Sequence, residues 1–383
     1  MGTANSTKKK VLIFTFKEGH LSIAHAIKQY LDKDYNCEIY DAITKNEKIG
    51  NLTLDKLYMP FYQFFPSLFK IPFELSQKDK IISSLRKKFL KDFKPTLEEK
   101  INSFQPDLII STYYSYNPAL AEITKEIPFI NIVTDPRTFS LLIPEPKADI
   151  NFVYDQTAAV RCKQAGCSDE NVEISGWFVR KPFYNHTTQN QQLLDKLGFK
   201  KDHLTFLICG GSEGANAILK ILPTIINSSK KVQTAVICGS NKNLYKALNS
   251  TKKITTEVFN NYYDPDNVKI FSHVDNMAEF ISIADLVIGK AGPNLLFESV
   301  ATHTPFFAIT HISGQEDGNL DIIKEKDLGE VEENPFKAAK KINKIIKNPN
   351  QLDQFKKPLK KERSYNQQAE EIILKKIEAL FDN

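Results

Sequence analysis

Gly289-Lys290-Ala291-Gly292-Pro293-Asn294-Leu295-Leu296-Phe297-Glu298 decides the fold. The apolar run Ala284-Asp285-Leu286-Val287-Ile288 precedes it and reads as a buried strand, and apolar residues at helical spacing follow. Gly292 and Pro293 therefore stand where a strand turns into a helix, with proline at the first helical position. A helix start presents unpaired N–H groups and a positive dipole end, which suit a diphosphate. Glu298 falls about one turn into that helix, where a carboxylate can accept both hydroxyls of a ribose. A second turn of the same kind is Leu207-Ile208-Cys209-Gly210-Gly211-Ser212-Glu213-Gly214-Ala215. Taken singly, such glycine-rich turns often serve only to let a helix pack closely on a sheet. Two of them in one half of the chain, with a ribose-type glutamate, point to a nucleotide site.

The surrounding sequence repeats the strand-then-helix alternation. Strands are expected at 11–16, 38–40, 107–112, 129–135 and 150–154, with helices between several of them. The segment 172–183 closes this half, and the polar stretch 184–192 reads as a linker. The alternation then restarts, with strands expected at Leu204–Cys209, 234–238, Val268–Phe271, 286–288 and 306–309. The tail from Pro349 reads as charged helices. Such a pattern predicts an α/β protein of two Rossmann-like, doubly wound parallel-sheet domains. Their expected spans are 1–184 and 185–348, and helices at 349–383 are expected to pack back on the first domain.

Bulk properties fit that reading. A chain of 383 residues suggests two domains or one large one. A hydrophobic content of 42% and a charged content of 25% are ordinary for a globular protein. The net charge of +5 is mild, so its distribution matters more than its size. Cys37, Cys162, Cys167, Cys209 and Cys238 lie mostly in apolar runs and read as reduced, buried thiols of a cytosolic protein, without the spacing of a zinc site. The first ten residues are polar and then basic, unlike a secretory signal, and no apolar run is long enough to span a bilayer.

Two further features carry chemistry. His20 follows the first strand after Gly19, at the strand edge where open parallel sheets bind ligands. It reads as a proton-transfer residue or as a packing one. Asp135 ends another strand, where it reads as a cleft residue or as a turn residue. The aromatic stretch 57–73 is broken by three prolines, which argue against one continuous helix, and is followed by Lys78, Lys80, Arg86, Lys87, Lys88, Lys91 and Lys94. Aromatics beside a basic helix suit an anionic membrane interface. The alternative is a core helix pair with a solvated basic face. Nucleic acid fits less well, because the aromatics precede the charges instead of alternating with them.

With these motifs in hand, the sequence resembles the glycosyltransferases of family 28 with the GT-B fold, and among them the monogalactosyldiacylglycerol synthases and processive diacylglycerol glucosyltransferases. The resemblance runs from about Val11 to Gly329. It is carried by Gly19-His20, Val133-Thr134-Asp135, residues 176–183, Gly210-Gly211-Ser212-Glu213-Gly214, residues 289–298 and Gly314-Gln315-Glu316-Asp317-Gly318-Asn319. It implies two domains facing a cleft and an inverting transfer of glucose or galactose from a UDP-sugar to diacylglycerol or a similar lipid. It implies His20 as the catalytic base, and Asp135, at its strand end, is expected as a second catalytic residue. Gly211, Ser212, Lys290, Gly292, Pro293 and Asn294 would hold the UDP diphosphate, Val274 the uracil and Glu298 the ribose. Gln315, Glu316 and Asn319 would contact the donor sugar. Phe61, Phe64, Phe65 and Phe69, with Arg86, Lys87 and Lys88, fall where such enzymes meet membrane and acceptor.

What the resemblance implies for partners follows directly: a UDP-hexose, a lipid acceptor and an anionic membrane surface, with no cofactor, no metal and no nucleic acid. The expected location is cytoplasmic, peripheral on the inner face of the membrane. The chain departs from the pattern at Lys17-Glu18, where the family usually has glycines, and it lacks the usual tryptophan after Val133-Thr134-Asp135. Both departures bear on the acceptor. The alternatives are a UDP-N-acetylglucosamine-dependent transferase acting on a polyprenyl-linked peptidoglycan precursor, a UDP-sugar epimerase, and a non-catalytic UDP-binding protein on the same fold.

Overall fold

The computed structural model describes residues 8–17, 19–45, 73–74, 77–185, 191–210, 221, 225, 232–258 and 267–382. The chain divides into two compact units. The first holds residues 1–181, 313–318 and 365–383, and the second holds 182–312 and 319–364.

The first unit is built on strands β1 (Lys10–Thr15), β2 (Asn36–Asp41), β3 (Leu108–Ser111), β4 (Phe129–Ile132), β5 (Ile150–Val153) and β6 (Val172–Ile174). They form one parallel sheet in the order β2-β1-β3-β4-β5-β6. Val11, Leu12, Ile13 and Phe14 are all fully buried, which requires cover on both faces of the sheet. That is why these strands read as unbroken apolar runs and not as alternating ones. The long crossover helix Asp79–Phe104 buries Phe89, Phe93, Leu97 and Ile101, one per turn along a single stripe. It contains Pro95 and ends at Gln105, whose left-handed backbone sends its N–H back to the Ile101 carbonyl. Lys87, Lys88 and Lys91 stand exposed on the other side of this helix.

The second unit repeats the plan with β7 (Leu204–Cys209), β8 (Val232–Ile237), β9 (Val268–Phe271), β10 (Leu286–Lys290), β11 (Phe306–Thr310) and β12 (Gly329–Val331). These are parallel in the order β12-β11-β10-β7-β8-β9. The short edge strand β12 has no counterpart in the sequence expectations. Its Gly-Glu-Val lacks an apolar run, and pairing with β11 alone makes it a strand. The expected linker is also shorter than its polar composition suggests. A helix covers Lys181–Asn185, another starts at Gln191, and 186–190 lie outside the described residues. The helix Lys356–Asp382 closes the chain. In the first unit its later turns are fixed by Tyr365 Oη donating to the Tyr154 carbonyl (2.6 Å) and by Asn366 Oδ1 accepting from Trp177 N (2.9 Å).

A row of buried amides ties the middle of the first sheet together. Asn117, Asn131 and Asn151 are fully buried. Asn117 Nδ2 donates to Asn131 Oδ1 (2.8 Å), Asn131 Nδ2 to Asn151 Oδ1 (2.8 Å), and Asn151 Nδ2 to the Glu145 carbonyl (2.9 Å). Removing the central member leaves one Asn117 Nδ2 hydrogen without its acceptor, while Asn117 Nδ2 keeps the Ile143 carbonyl (3.2 Å) and Asn151 Oδ1 keeps the Glu145 N–H (2.9 Å). Asn131→Ala is therefore expected to destabilise the first unit by about 1–3 kcal/mol, the cost of one unsatisfied buried group. Urea unfolding followed by the fluorescence of Trp177, the single tryptophan and buried in that unit, measures it.

Candidate active site

In each sheet the order of strands reverses once. The first sheet grows from β1 to β2 on one side and then crosses to β3 on the other, so β1 and β3 flank a switch point. Connections leaving neighbouring strands in opposite directions open a crevice at their C-terminal ends, where ligands bind. His20 sits there, as the second residue of the helix Gly19–Leu31 that follows β1. Thr112 follows β3, held by its N–H on the Phe14 carbonyl (2.9 Å) and its hydroxyl on Thr15 Oγ1 (2.8 Å).

The imidazole of His20 is fixed at one nitrogen. Nδ1 lies 2.8 Å from the Thr112 carbonyl and 3.1 Å from Thr134 Oγ1. A carbonyl oxygen can only accept, so Nδ1 carries the proton and Nε2 is the basic nitrogen. Tyr113 meets the ring edge-on at 5.1 Å between centroids. Burial pushes the His20 pKa down to about 4, against the Thr112 carbonyl, which acts to raise it. The imidazole is therefore neutral across the physiological range. Asp135, next to Thr134 and buried, accepts from Gln315 Nε2 at 3.1 Å. Gln315 and the buried Glu316 belong to the first unit.

The second sheet switches between β7 and β10. Both glycine-rich turns leave from these neighbouring strands, and Gly289 lies level with Cys209 in the register. A Cβ on Gly289 would stand 3.2 Å from the Cys209 carbonyl and 3.0 Å from the Leu295 side chain, so glycine lets β10 lie close to both. The helix Pro293–Ala301 starts at the expected proline. Gly292 precedes it in extended conformation and, lacking a side chain, provides no cap for the first-turn N–H groups. Glu298 is buried, and after burial itself its carboxylate is the second influence raising the Cys209 thiol pKa. Glu298 therefore lies near the C-terminal end of β7, where Cys209 stands. Lys290 is the half-buried last residue of β10. Asn319 is fully buried and donates through Nδ2 to the Ala291 carbonyl (2.7 Å), while its Oδ1 has no partner among the described residues. Val274 is half-buried in the connection after β9. Gly211 and Ser212 lie outside the described residues.

Thus the first unit gathers His20 and Asp135, and, separately, the second gathers Lys290, Gly292, Pro293, Asn294, Glu298 and Asn319. Among the described residues, no three His, Cys, Asp or Glu side chains gather as metal ligands would. The proposed membrane residues divide. Phe61, Phe64, Phe65 and Phe69 lie outside the described residues. Lys87 and Lys88 are exposed. Arg86 is not an open cation: its guanidinium pairs with the fully buried Glu145 carboxylate at 2.5 Å. No described helix is long and apolar enough to cross a membrane. Sequence reading passed over Thr112 and Thr134, the two groups that fix His20. Both end apolar runs at strand C-termini, a place too common for threonine to single them out.

Comparison with known proteins gives the kind of protein this chain is. The monogalactosyldiacylglycerol (MGDG) synthase family model matches residues 20–179, and the glycosyltransferase family 28 C-terminal domain model matches residues 205–372. The processive diacylglycerol beta-glucosyltransferase of Staphylococcus aureus (strain MRSA252) is 26% identical over 359 residues, covering 90% of this chain and 86% of that protein. The processive diacylglycerol beta-glucosyltransferase of Bacillus licheniformis is 22% identical over 368 residues, covering 93% and 91%. Among solved structures, the UDP-GlcNAc 2-epimerase from Neisseria meningitidis bound to UDP-GlcNAc is similar with a TM-score of 0.61 at 14% identity, covering 98% of this chain and 100% of that one. That likeness is one of fold, the GT-B fold of transferases and epimerases alike. Residues 20–179 are thus of the monogalactosyldiacylglycerol synthase type and residues 205–372 form a glycosyltransferase family 28 C-terminal domain, and together they make the chain a UDP-sugar-dependent glycosyltransferase.

Proposed function

We propose that the protein moves a hexose from a UDP-hexose to the free hydroxyl of diacylglycerol or a similar lipid, with inversion, at the cytoplasmic surface of a membrane. The observation that carries this reading is His20, held as the Nδ1–H tautomer at a sheet switch point with Nε2 left basic. The diacylglycerol acceptor is supported by the names of the two bacterial relatives. The exposed Lys87 and Lys88 support contact with anionic headgroups.

In this reading the nucleotide lies at the β7/β10 switch point. Helix Pro293–Ala301 faces the diphosphate with its N-terminus, and Glu298 takes the ribose hydroxyls. The acceptor oxygen attacks the anomeric carbon as the bond from that carbon to the diphosphate oxygen breaks, and UDP leaves with the electron pair. His20 Nε2 receives the acceptor proton. A base of pKa about 4 does not strip a resting hydroxyl, so proton transfer accompanies bond formation, when the attacking oxygen turns acidic. Charge growing on UDP is met by the helix N-terminus and by Lys290.

A donor panel tests the reading. Protein and diacylglycerol in anionic vesicles are given UDP-glucose, UDP-galactose and UDP-N-acetylglucosamine separately, with products identified by mass spectrometry. A hexosyl-diacylglycerol is expected from one of the first two. Transfer only from UDP-N-acetylglucosamine to a polyprenyl acceptor would overturn it. His20→Ala is expected to lower kcat by roughly 100-fold or more, and near-normal turnover would remove His20 from the base role. The acid limb of kcat/KM should fall near pH 4 and not near 6.5, because protonation of Nε2 abolishes the base and burial holds that pKa at about 4. A limb at 6.5 would contradict the fixed neutral imidazole. Reversing two exposed charges, Lys87→Glu with Lys88→Glu, should weaken sedimentation with phosphatidylglycerol vesicles by about tenfold or more.

A further inference from the structure

The residues that leave β4 do two jobs at once within the first unit. Thr134 touches His20 Nδ1 through its hydroxyl (3.1 Å). Asp135 accepts from Gln315 Nε2 (3.1 Å). Thr138 bonds the 313–318 segment twice: its Oγ1 donates to the Gln315 carbonyl (2.7 Å) and accepts from Gly318 N (3.0 Å). A hydroxyl is the side-chain group that can give one proton and take another at a single atom, so Thr or Ser is required here. Between them, Arg137 is anchored by Nε on Asp155 Oδ2 (2.8 Å), and Asp155 also caps the helix Gln156–Gln164 through Ala158 N (3.1 Å).

The segment itself is shaped to be held. Gly314 has φ +89, and a Cβ there would come within 2.8 Å of the Phe73 ring. Gly314 N donates to Asp317 Oδ1 (2.8 Å), which closes the turn that carries Gln315 and Glu316. A Cβ on Gly318 would stand 2.6 Å from Arg137 Cβ and 3.1 Å from Thr138 N, so the two backbones touch only because residue 318 is glycine. The turn is thus pinned on one side by Phe73 and on the other by Thr138.

We propose that Thr138 is a positioning residue for the donor sugar: its hydroxyl fixes the turn that presents Gln315 and Glu316 to the hexose. This rests on the reading of those two residues as hexose contacts. Asp135 then serves to orient the Gln315 amide and takes no proton in the reaction. The uridine and diphosphate groups are assigned to other residues, so loss of the Thr138 hydroxyl acts on recognition of the hexose and leaves UDP itself unaffected.

The test uses the full chain carrying Thr138→Val, Thr138→Ser or no change, with steady-state transfer from the preferred UDP-hexose and inhibition by UDP. Thr138→Val removes both bonds at nearly constant volume and is expected to raise the donor KM or lower kcat/KM by about tenfold. The Ki of UDP should stay within about twofold, and Thr138→Ser should restore kcat/KM to within about threefold of wild type. Three results would overturn the proposal: unchanged kcat/KM in Thr138→Val, a Ki for UDP that rises in step with the donor KM, or Thr138→Ser as impaired as Thr138→Val. A purely structural hydroxyl would move the melting temperature and both ligands together. If wild-type protein transfers no hexose and binds no UDP by calorimetry, the transferase reading and this one fall together. If wild type transfers hexose while Thr138→Val is indistinguishable from it, this one falls alone.

Discussion

A parallel sheet that changes its direction of growth cannot close over the ends of the two strands where the change occurs. The crossovers depart to opposite sides, and the C-terminal ends of the pair are left uncovered. That constraint applies twice in this protein. In the first sheet the pair is β1 and β3, and the uncovered ends carry His20 and Thr112. In the second it is β7 and β10, and the uncovered ends lead into the two glycine-rich turns. In the proposed function the two crevices have different tasks: one would supply a nitrogen base, and the other a helix N-terminus and a carboxylate.

Burying a base at such a place has a consequence that the residue type alone does not announce. An exposed imidazole is half protonated near pH 6.5. Withdrawal from water favours the neutral form of His20, and the Thr112 carbonyl only partly counters that. The carbonyl does something more useful than shift a pKa. It commits Nδ1 to its proton, and it stabilises the imidazolium once Nε2 has been protonated. In the proposed transfer, a weak base with a fixed tautomer suits a reaction in which the leaving UDP drives bond breaking. A stronger base would spend part of its time protonated and idle.

Periodicity made the sheets legible. Runs such as Val11–Leu12–Ile13–Phe14 and Leu286–Val287–Ile288 are apolar throughout because both faces are covered, and strands of that kind stand out from their flanks. The helix start at Pro293 was equally plain, since proline at the first turn has a local cause. The edge strand β12 was not legible, because Gly-Glu-Val becomes a strand only through its partner β11. The site was half legible. His20 and Glu298 are marked by their place after strands, whereas Thr112, Thr134 and Thr138 act through a single oxygen each. Threonines in strand-end turns are ordinary, and nothing in a one-dimensional pattern reveals which of them meets a histidine ninety-odd positions earlier.

Arg86 shows why a basic run overstates the charge available to a membrane. It lies within the cationic stretch that follows the aromatics, yet its guanidinium is spent on Glu145. Glu145 has no exposure of its own, and a carboxylate so placed requires a cation. The same Glu145 carbonyl ends the row of buried asparagines that crosses β4 and β5. One end of the basic helix is therefore tied into the polar interior of the first unit. Lys94 is likewise engaged, by Glu122 at 2.5 Å, although that exposed pair contributes little to stability. What remains for headgroups is the exposed part of the stripe, Lys87, Lys88 and Lys91, set opposite the buried row Phe89, Phe93 and Leu97. The helix thus keeps its apolar stripe for the core and turns a polar, largely charged face outward. In the proposed membrane reading, this helix would contribute attraction at the level of the headgroups and not insertion into the acyl region.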